Sequence, residues 1–151
     1  ILTRQNVPIL DQNKYGKAEG LRKGAYILTD NSDGNPELII IASGSEVHVA
    51  LEAYEKLVAE GVKVRVVSMP SFELFEMQPK EYRDTVLPPA VRKRLAIEAG
   101  ATLGWYKYVG TEGEVVGIDR FGASAPGKVV LERLGISAEN LLSRARALLG
   151  R

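Results

Sequence analysis

The 151-residue chain carries 20 Lys plus Arg against 19 Asp plus Glu, a net charge of +1. This balance argues against a nucleic-acid or membrane-surface partner, which a broad positive field would attract. The absence of cysteine and the presence of one histidine exclude disulfide scaffolds and thiol nucleophiles and leave little scope for metal sites. A composition of 45% hydrophobic and 26% charged residues is typical of one globular domain. We expect a soluble, cytoplasmic protein.

The first part of the chain differs from the remainder. Residues 5–24 are polar, contain scattered glycines and show neither a strand nor a helix period, which predicts an arm or linker. The chain starts with Ile1-Leu2-Thr3, a run typical of the end of a buried strand, and we therefore expect a piece of a larger protein. We predict an arm over residues 1–24 and a domain over residues 25–151.

Two apolar runs predict the first strands of this domain. Residues 25–29 and 38–42 are separated by turn formers at 30–36, which predicts a hairpin with a long loop. The second run is apolar at every position, which favours a central strand covered by helices on both faces. The sequence therefore indicates a layered α/β fold.

The following segments extend this pattern. Apolar residues at helical spacing predict a helix that begins after Ser43-Gly44-Ser45 and ends at Gly61, and a strand over 62–67 completes a βαβ unit with parallel strands. Short helices are expected at 72–77 and 79–86, further strands at 95–99 and 115–118, and two terminal helices after Ser124 and Ser137. We predict an open, mostly parallel sheet of about five strands with helices on both faces.

The Ser43-Gly44-Ser45 turn is the first candidate site. A turn between a strand and a helix can hold a phosphate on backbone N–H groups. The turn lacks the three spaced glycines of a dinucleotide site and the Gly-Lys-Ser/Thr of a Walker loop. Ser43 and Glu46 instead have the spacing of a capping box, which we favour over an anion or nucleotide site.

Four acid-base candidates follow. His48, Glu52 and Glu55 fall at i, i+4 and i+7, so they could ligate a metal together, but the apolar stripe lies elsewhere and a solvent-facing surface is favoured. Glu98 follows a predicted strand, a usual position for a site carboxylate in open α/β sheets. An edge or interface carboxylate is the favoured interpretation.

Two further stretches could form a contact surface. Residues 119–126 form a loop in which Gly122 and Ser124 could shape and cap a turn, or Arg120 and Phe121 could face a partner. The run Trp105-Tyr106-Lys107-Tyr108 could stack on bases, but the near-zero net charge favours buried or interface packing.

Five motifs, taken in order, resemble the C-terminal end of the transketolases, and the similarity spans essentially the whole chain. Related thiamine-dependent enzymes share a similar domain, but the first and last motifs resemble transketolase. The motifs are Leu2-Thr3-Arg4-Gln5-Asn6, Ala42-Ser43-Gly44-Ser45-Glu46-Val47 with the preceding Pro36-Glu37-Leu38-Ile39, Val64-Arg65-Val66-Val67-Ser68-Met69-Pro70-Ser71, Trp105-Tyr106-Lys107-Tyr108-Val109-Gly110 and Phe121-Gly122-Ala123-Ser124-Ala125-Pro126.

The resemblance implies a homodimeric parent enzyme that moves a two-carbon ketol unit from a ketose phosphate to an aldose phosphate. That enzyme uses thiamine diphosphate and a divalent metal, Mg or Ca, held by pyrophosphate-binding and pyrimidine-binding domains that precede this stretch. The resemblance also implies an open α/β sheet with one antiparallel strand, contacts with the remaining domains and the second subunit, and a role in subunit packing.

Site residues carry over at one position only. Arg4 resembles the family arginine that binds the substrate phosphate, a role suited to the planar guanidinium. The resemblance places no catalytic, cofactor-binding or metal-binding residue in this chain, and His48 matches none of the family histidines. We expect Arg4 to be idle here and the chain alone to be inactive. The alternatives are a small-anion or nucleotide-binding regulatory domain and the C-terminal domain of a related thiamine-dependent enzyme.

Overall fold

The computed structural model describes residues 6–151. A short 3-10 helix, Ala18–Lys23, precedes the first strand, and a second one, Leu103–Trp105, runs directly into a helical turn. None of the helices within the described residues is long and apolar enough to cross a bilayer. The strands are β1 Tyr26–Asp30, β2 Leu38–Ala42, β3 Val64–Ser68, β4 Arg94–Ile97 and β5 Glu114–Val116. The α-helices are α1 Glu46–Ala59, α2 Phe72–Glu76, α3 Lys80–Val86, α4 Tyr106–Val109, α5 Gly127–Arg133 and α6 Ala138–Leu149.

The strands form one mixed sheet in the order β1-β3-β2-β4-β5. β1 runs antiparallel to β3, whereas the pairs β2 with β3, β2 with β4, and β4 with β5 are parallel. Helices α1 and α6 contribute to the core on one face, and α2, α3 and α4 contribute to the core on the other. This arrangement confirms the predicted fold class, including its single antiparallel strand.

The predicted hairpin between the first two strands is wrong. β1 pairs with β3, and Asp30 lies opposite Arg65 in that pair. Both edges of β2 are occupied by β3 and β4, because a strand that is buried at all five positions loses most water contact at the centre of the sheet. β1, which is only partly buried at four positions, takes the edge instead.

The pleat of β2 divides the core between the two faces. Leu38 and Ile40 pack in the cluster with α1 and α6, and Ile39 and Ile41 pack in the cluster on the opposite face. All four side chains have 0% exposure. The alternation follows from the two-residue period of a strand, and it explains why every β2 position is apolar.

The segment before β1 lies against the domain. Leu10 and Tyr15 pack on the core cluster beside α1, and the backbone N–H of Gly16 donates to the carbonyl of Leu28 at 2.7 Å. Lys14 Nζ lies 2.6 Å from Glu55 Oε1 on α1. The described part of the predicted arm, residues 6–24, is thus attached to the sheet edge and α1, and it includes a short 3-10 helix.

Candidate functional site

The connections that follow β2 and β4 leave the carboxyl ends of these neighbouring strands toward opposite faces of the sheet. After β2 the chain enters α1 on one face, and after β4 it enters the 3-10 helix and α4 on the other. Because neighbouring parallel strands continue to opposite faces here, a crevice opens between their ends. This is the position where open α/β sheets bind ligands.

A cleft of about 400 Å³ occupies this edge. Phe72 forms one of its walls and packs edge-on against Trp105, with ring centroids 4.8 Å apart and planes at 88°. The lining combines apolar walls with a few polar groups, as ligand pockets do. The lining residues are Ser43, Met69, Pro70, Ser71, Phe72, Glu73, Glu98, Gly100, Ala101 and Trp105.

A hydrogen bond across two strand ends closes one side of the cleft. The Ser43 hydroxyl donates to Glu98 Oε2 at 2.7 Å, so the predicted capping box is wrong. α1 begins at Glu46 with Ser45 as its N-cap residue, which places Glu46 at the first helical position rather than the third that a capping box requires. The Ser45 side chain makes no cap hydrogen bond, and its hydroxyl donates to Glu46 Oε1 at 2.6 Å.

Glu98 is a partly buried carboxyl in an acidic setting. Burial raises the pKa of Glu98, the hydrogen bond from Ser43 opposes that shift, and the negative charge of Glu46 adds to it. Among the described residues that line the cleft, Glu73 and Glu98 are acidic and none is Lys, Arg or His. The lining argues against the anion or nucleotide site considered at the Ser43-Gly44-Ser45 turn.

The three acid-base candidates on α1 do not form a metal site. Glu52 pairs with Lys56 at 3.0 Å, and Glu55 pairs with Lys14. His48 is half-buried, and this burial lowers its pKa. Within residues 6–151, no three His, Asp or Glu side chains lie close enough together to hold a metal ion.

The aromatic run lies mainly in the core. Trp105 and Tyr108 have 3% and 5% exposure and pack with Phe72, which confirms the prediction of buried packing. Tyr106 is 54% exposed on the outer side of α4. A continuous base-stacking platform is therefore excluded for these residues.

The loop at residues 119–126 is exposed throughout. Phe121 is 95% exposed. The prediction that Ser124 caps the following helix is wrong, because the N-cap residue of α5 is Pro126, which has no side-chain cap hydrogen bond. Asp119 fixes the start of the loop by accepting hydrogen bonds from the backbone N–H and hydroxyl of Thr102, at 2.9 and 2.8 Å. The sequence analysis missed this contact, since no local spacing links residues that follow different strands.

The remaining predicted residue, Arg4, lies outside the described residues, and its role stays a prediction. The described residues also do not fit thiamine diphosphate and its metal by themselves. Residues 6–151 bring no three His, Asp or Glu side chains together as a metal site, and the cleft carries carboxylates where a diphosphate would need cations.

Comparisons with known proteins agree on one family. The family model for the transketolase-like TK C-terminal domain matches residues 24–137. A transketolase of Geobacillus stearothermophilus is 54% identical over 151 residues, which are 100% of this chain and 23% of that protein. A transketolase of Aquifex aeolicus is 54% identical over 144 residues, 95% of this chain and 21% of that protein.

Solved structures show the same relationship. Transketolase from Leishmania mexicana superposes with a TM-score of 0.82 at 43% identity, covering 91% of this chain and 20% of that chain. The Pichia stipitis transketolase complex with sedoheptulose-7-phosphate gives a TM-score of 0.86 at 34% identity. The match covers 97% of this chain and 20% of that chain. The chain spans about a fifth of the length of these relatives, and it belongs to the family of transketolase C-terminal domains.

Proposed function

We propose that this chain serves as the C-terminal domain of a transketolase that transfers a two-carbon ketol unit from a ketose phosphate to an aldose phosphate. The observation that carries the proposal is the 54% identity over all 151 residues with the Geobacillus stearothermophilus enzyme. The Pichia stipitis relative binds a sugar phosphate of the expected class.

Catalysis in this proposal needs parts of the enzyme beyond the chain. The matched region is 23% of the Geobacillus protein, and the described residues do not fit the diphosphate cofactor or a metal. We propose that thiamine diphosphate and the divalent metal bind the other domains and that Arg4 contacts the substrate phosphate in the complete enzyme. The chain alone is then inactive. A cytoplasmic location is also part of the proposal.

The contribution of the chain in this proposal is packing against the other domains and the second subunit of a homodimer. Phe121 is 95% exposed in a loop whose neighbours at 119–126 are also exposed. Aromatic residues and Arg are enriched at protein–protein interfaces, and Phe121 lies beside Arg120 in this loop. We propose that this loop contacts the remainder of the enzyme.

A domain graft tests the assignment. The matching segment of the Geobacillus transketolase is replaced by this chain, and ketol transfer is assayed with xylulose 5-phosphate and ribose 5-phosphate, thiamine diphosphate and magnesium. We expect an active dimeric graft and no activity from the chain alone. A folded graft without activity, or ketol transfer by the isolated chain, would contradict the proposal.

The loop contact is tested in the same graft. Phe121→Ala should weaken the dimer or the domain contact, measured by sedimentation equilibrium and limited proteolysis. Met77→Ala is the matched control, because Met77 is also a large apolar side chain, 78% exposed, on a different element. Equal behaviour of the two variants would exclude residue 121 from the interface.

A further inference from the structure

The carboxylates that line the cleft at the carboxyl ends of β2 and β4 form no ion pair with a described residue. Many other acidic side chains do pair with cations, for example Glu60 with Arg146 and Glu114 with Arg144. In the cleft, Glu98 accepts from Ser43, and Glu73 accepts from Ser71 at 3.0 Å. Hydroxyl donors carry no charge, so the negative charge of the cleft is not balanced.

A third carboxylate, which does not line the cleft, acts on Glu98. Glu46 has 5% exposure, and its only side-chain hydrogen bond within the described chain comes from Ser45. It lies near enough to Glu98 for its charge to act on that group. A buried carboxylate without a cation is unusual because desolvation of the charge is costly unless an opposite charge compensates it.

The walls of the cleft are apolar and aromatic. Met69 and Pro70 line it just after β3. Phe72 and Trp105, which share the core cluster of Met69 on the α2 and α4 face of the sheet, also line it. Aromatic faces attract organic cations, and apolar walls accept an aliphatic stem. The volume of about 400 Å³ suits a small organic group rather than a hydrated metal ion.

The negative charge of the cleft disfavours anionic ligands. The N-terminus of α1 carries the equivalent of about half a positive charge, which by itself favours an anion. Glu46 and Glu98 place two carboxyl groups at that same end, and their negative charge exceeds the dipole contribution. Phosphates and carboxylates are therefore disfavoured.

We propose that this cleft binds an organic cation, a guanidinium or ammonium group on an apolar stem, with Glu98 and Glu73 as its counter-charges. The proposal does not depend on the ketol transfer proposed above. The cation can be a free amine or the Lys or Arg side chain of another protein segment, since both present the same chemistry.

The test is an NMR titration of the isotopically labelled chain with butylguanidinium. We expect saturable shifts of the Gly100 and Ala101 amides and the Trp105 indole N–H, with a Kd of about 1 mM, as small ligands of this size give. Butanol and inorganic phosphate are the control ligands. Similar shifts with either of them, or no saturable shift with butylguanidinium, would overturn the proposal.

Variants assign the counter-charges. Glu98→Gln should weaken binding about fivefold or more, and Glu73→Gln, on the exposed side of α2, tests the same point without risk to the core. Glu52→Gln is the control because its carboxylate pairs with Lys56 outside the cleft. Unchanged affinity in both cleft variants contradicts the proposal. N-acetyl-arginine methylamide separates the two sources: affinity equal to that of butylguanidinium favours a protein side chain, and weaker affinity favours a free amine.

Discussion

Asp30 and Arg65 form a buried ion pair across the antiparallel strands β1 and β3, with Arg65 Nη2 2.7 Å from Asp30 Oδ2. Arg65 is only 3% exposed, and its Nη1 donates to the carbonyls of Thr85 and Val86 at 2.7 and 3.2 Å. One guanidinium thus joins the edge strand β1 and the end of α3 to β3. The pair fixes where the edge strand attaches.

Replacing Asp30 should destabilise the domain strongly. Asp30→Asn keeps the side-chain shape but leaves the Arg65 charge buried without a counter-ion, and we expect the free energy of unfolding to fall by about 3 kcal/mol. Urea denaturation measures the change. Glu52→Gln removes an exposed ion pair with Lys56 and should cost less than about 0.5 kcal/mol. Equal losses in the free energy of unfolding would show that the buried ion pair stabilises the domain no more than an exposed one.

The same pair predicts a loss of stability in acid. Burial raises the pKa of Asp30, but hydrogen bonds from Ser32 and the guanidinium of Arg65 outweigh it and hold the pKa below its ordinary value. A depressed folded-state pKa gives stability that is present above the unfolded value of about 3.9 and lost as the pH falls through the folded value. Below about pH 4, the free energy of unfolding should therefore fall more steeply in wild type than in Asp30→Asn. If the free energies of unfolding of wild type and Asp30→Asn fell in parallel below this pH, the expectation would be contradicted.

The centre of the sheet could be predicted from the sequence, because burial on both faces leaves a direct signal. The uniformly apolar run at residues 38–42 predicts a central strand, and β2 is that strand. The stripe on α1 and the glycine stop at Gly61 likewise follow from local spacing. Local sequence patterns were sufficient to predict these elements because the spacing of apolar residues directly reflects which side chains are buried.

The partner of β1 and the geometry of the cleft could not be predicted in this way. β1 is half-exposed, so its sequence is compatible with several neighbours, and the turn formers after it favoured the strand next in sequence. Ser43 contacts Glu98, 55 positions away, whereas the capping-box spacing offered a partner three residues away. Long-range pairing of polar groups leaves no periodic signal in the sequence.

Glu98 predicts a pH dependence of opposite sign. Burial raises its pKa, and the charge of Glu46 adds to this against the opposing hydrogen bond from Ser43. A raised folded-state pKa gives stability that is complete below the unfolded value of about 4.3 and lost as the pH rises through the folded value. Relative to wild type, Glu98→Gln should therefore gain stability between about pH 4 and pH 7. Urea denaturation across this range measures the difference, and a constant difference between the two proteins would contradict the expectation.

Gly24 is a position that no other residue should fill without strain. Its φ is +79°, and an added Cβ would lie 2.2 Å from the Phe75 backbone nitrogen and 2.4 Å from the Ser71 carbonyl oxygen. We expect Gly24→Ala to lower the free energy of unfolding by about 3 kcal/mol, about 1 from the backbone and the rest from overpacking. Gly34→Ala is the control, since Gly34 has φ +91° but no atom within 4 Å of an added Cβ. It should lose only about 1 kcal/mol, and equal losses would exclude the contact as the cause.

Two adjacent aromatic residues test which part of the aromatic run supports the fold. Trp105 is 3% exposed and packs edge-on against Phe72, so Trp105→Ala removes a large buried side chain and should cost about 3 to 5 kcal/mol. Tyr106 is 54% exposed, and Tyr106→Ala should cost less than about 1 kcal/mol. Urea denaturation of both variants gives the comparison. A large loss for Tyr106→Ala, or a small one for Trp105→Ala, would contradict the expectation that the buried contact of Trp105 with Phe72 supports this layer.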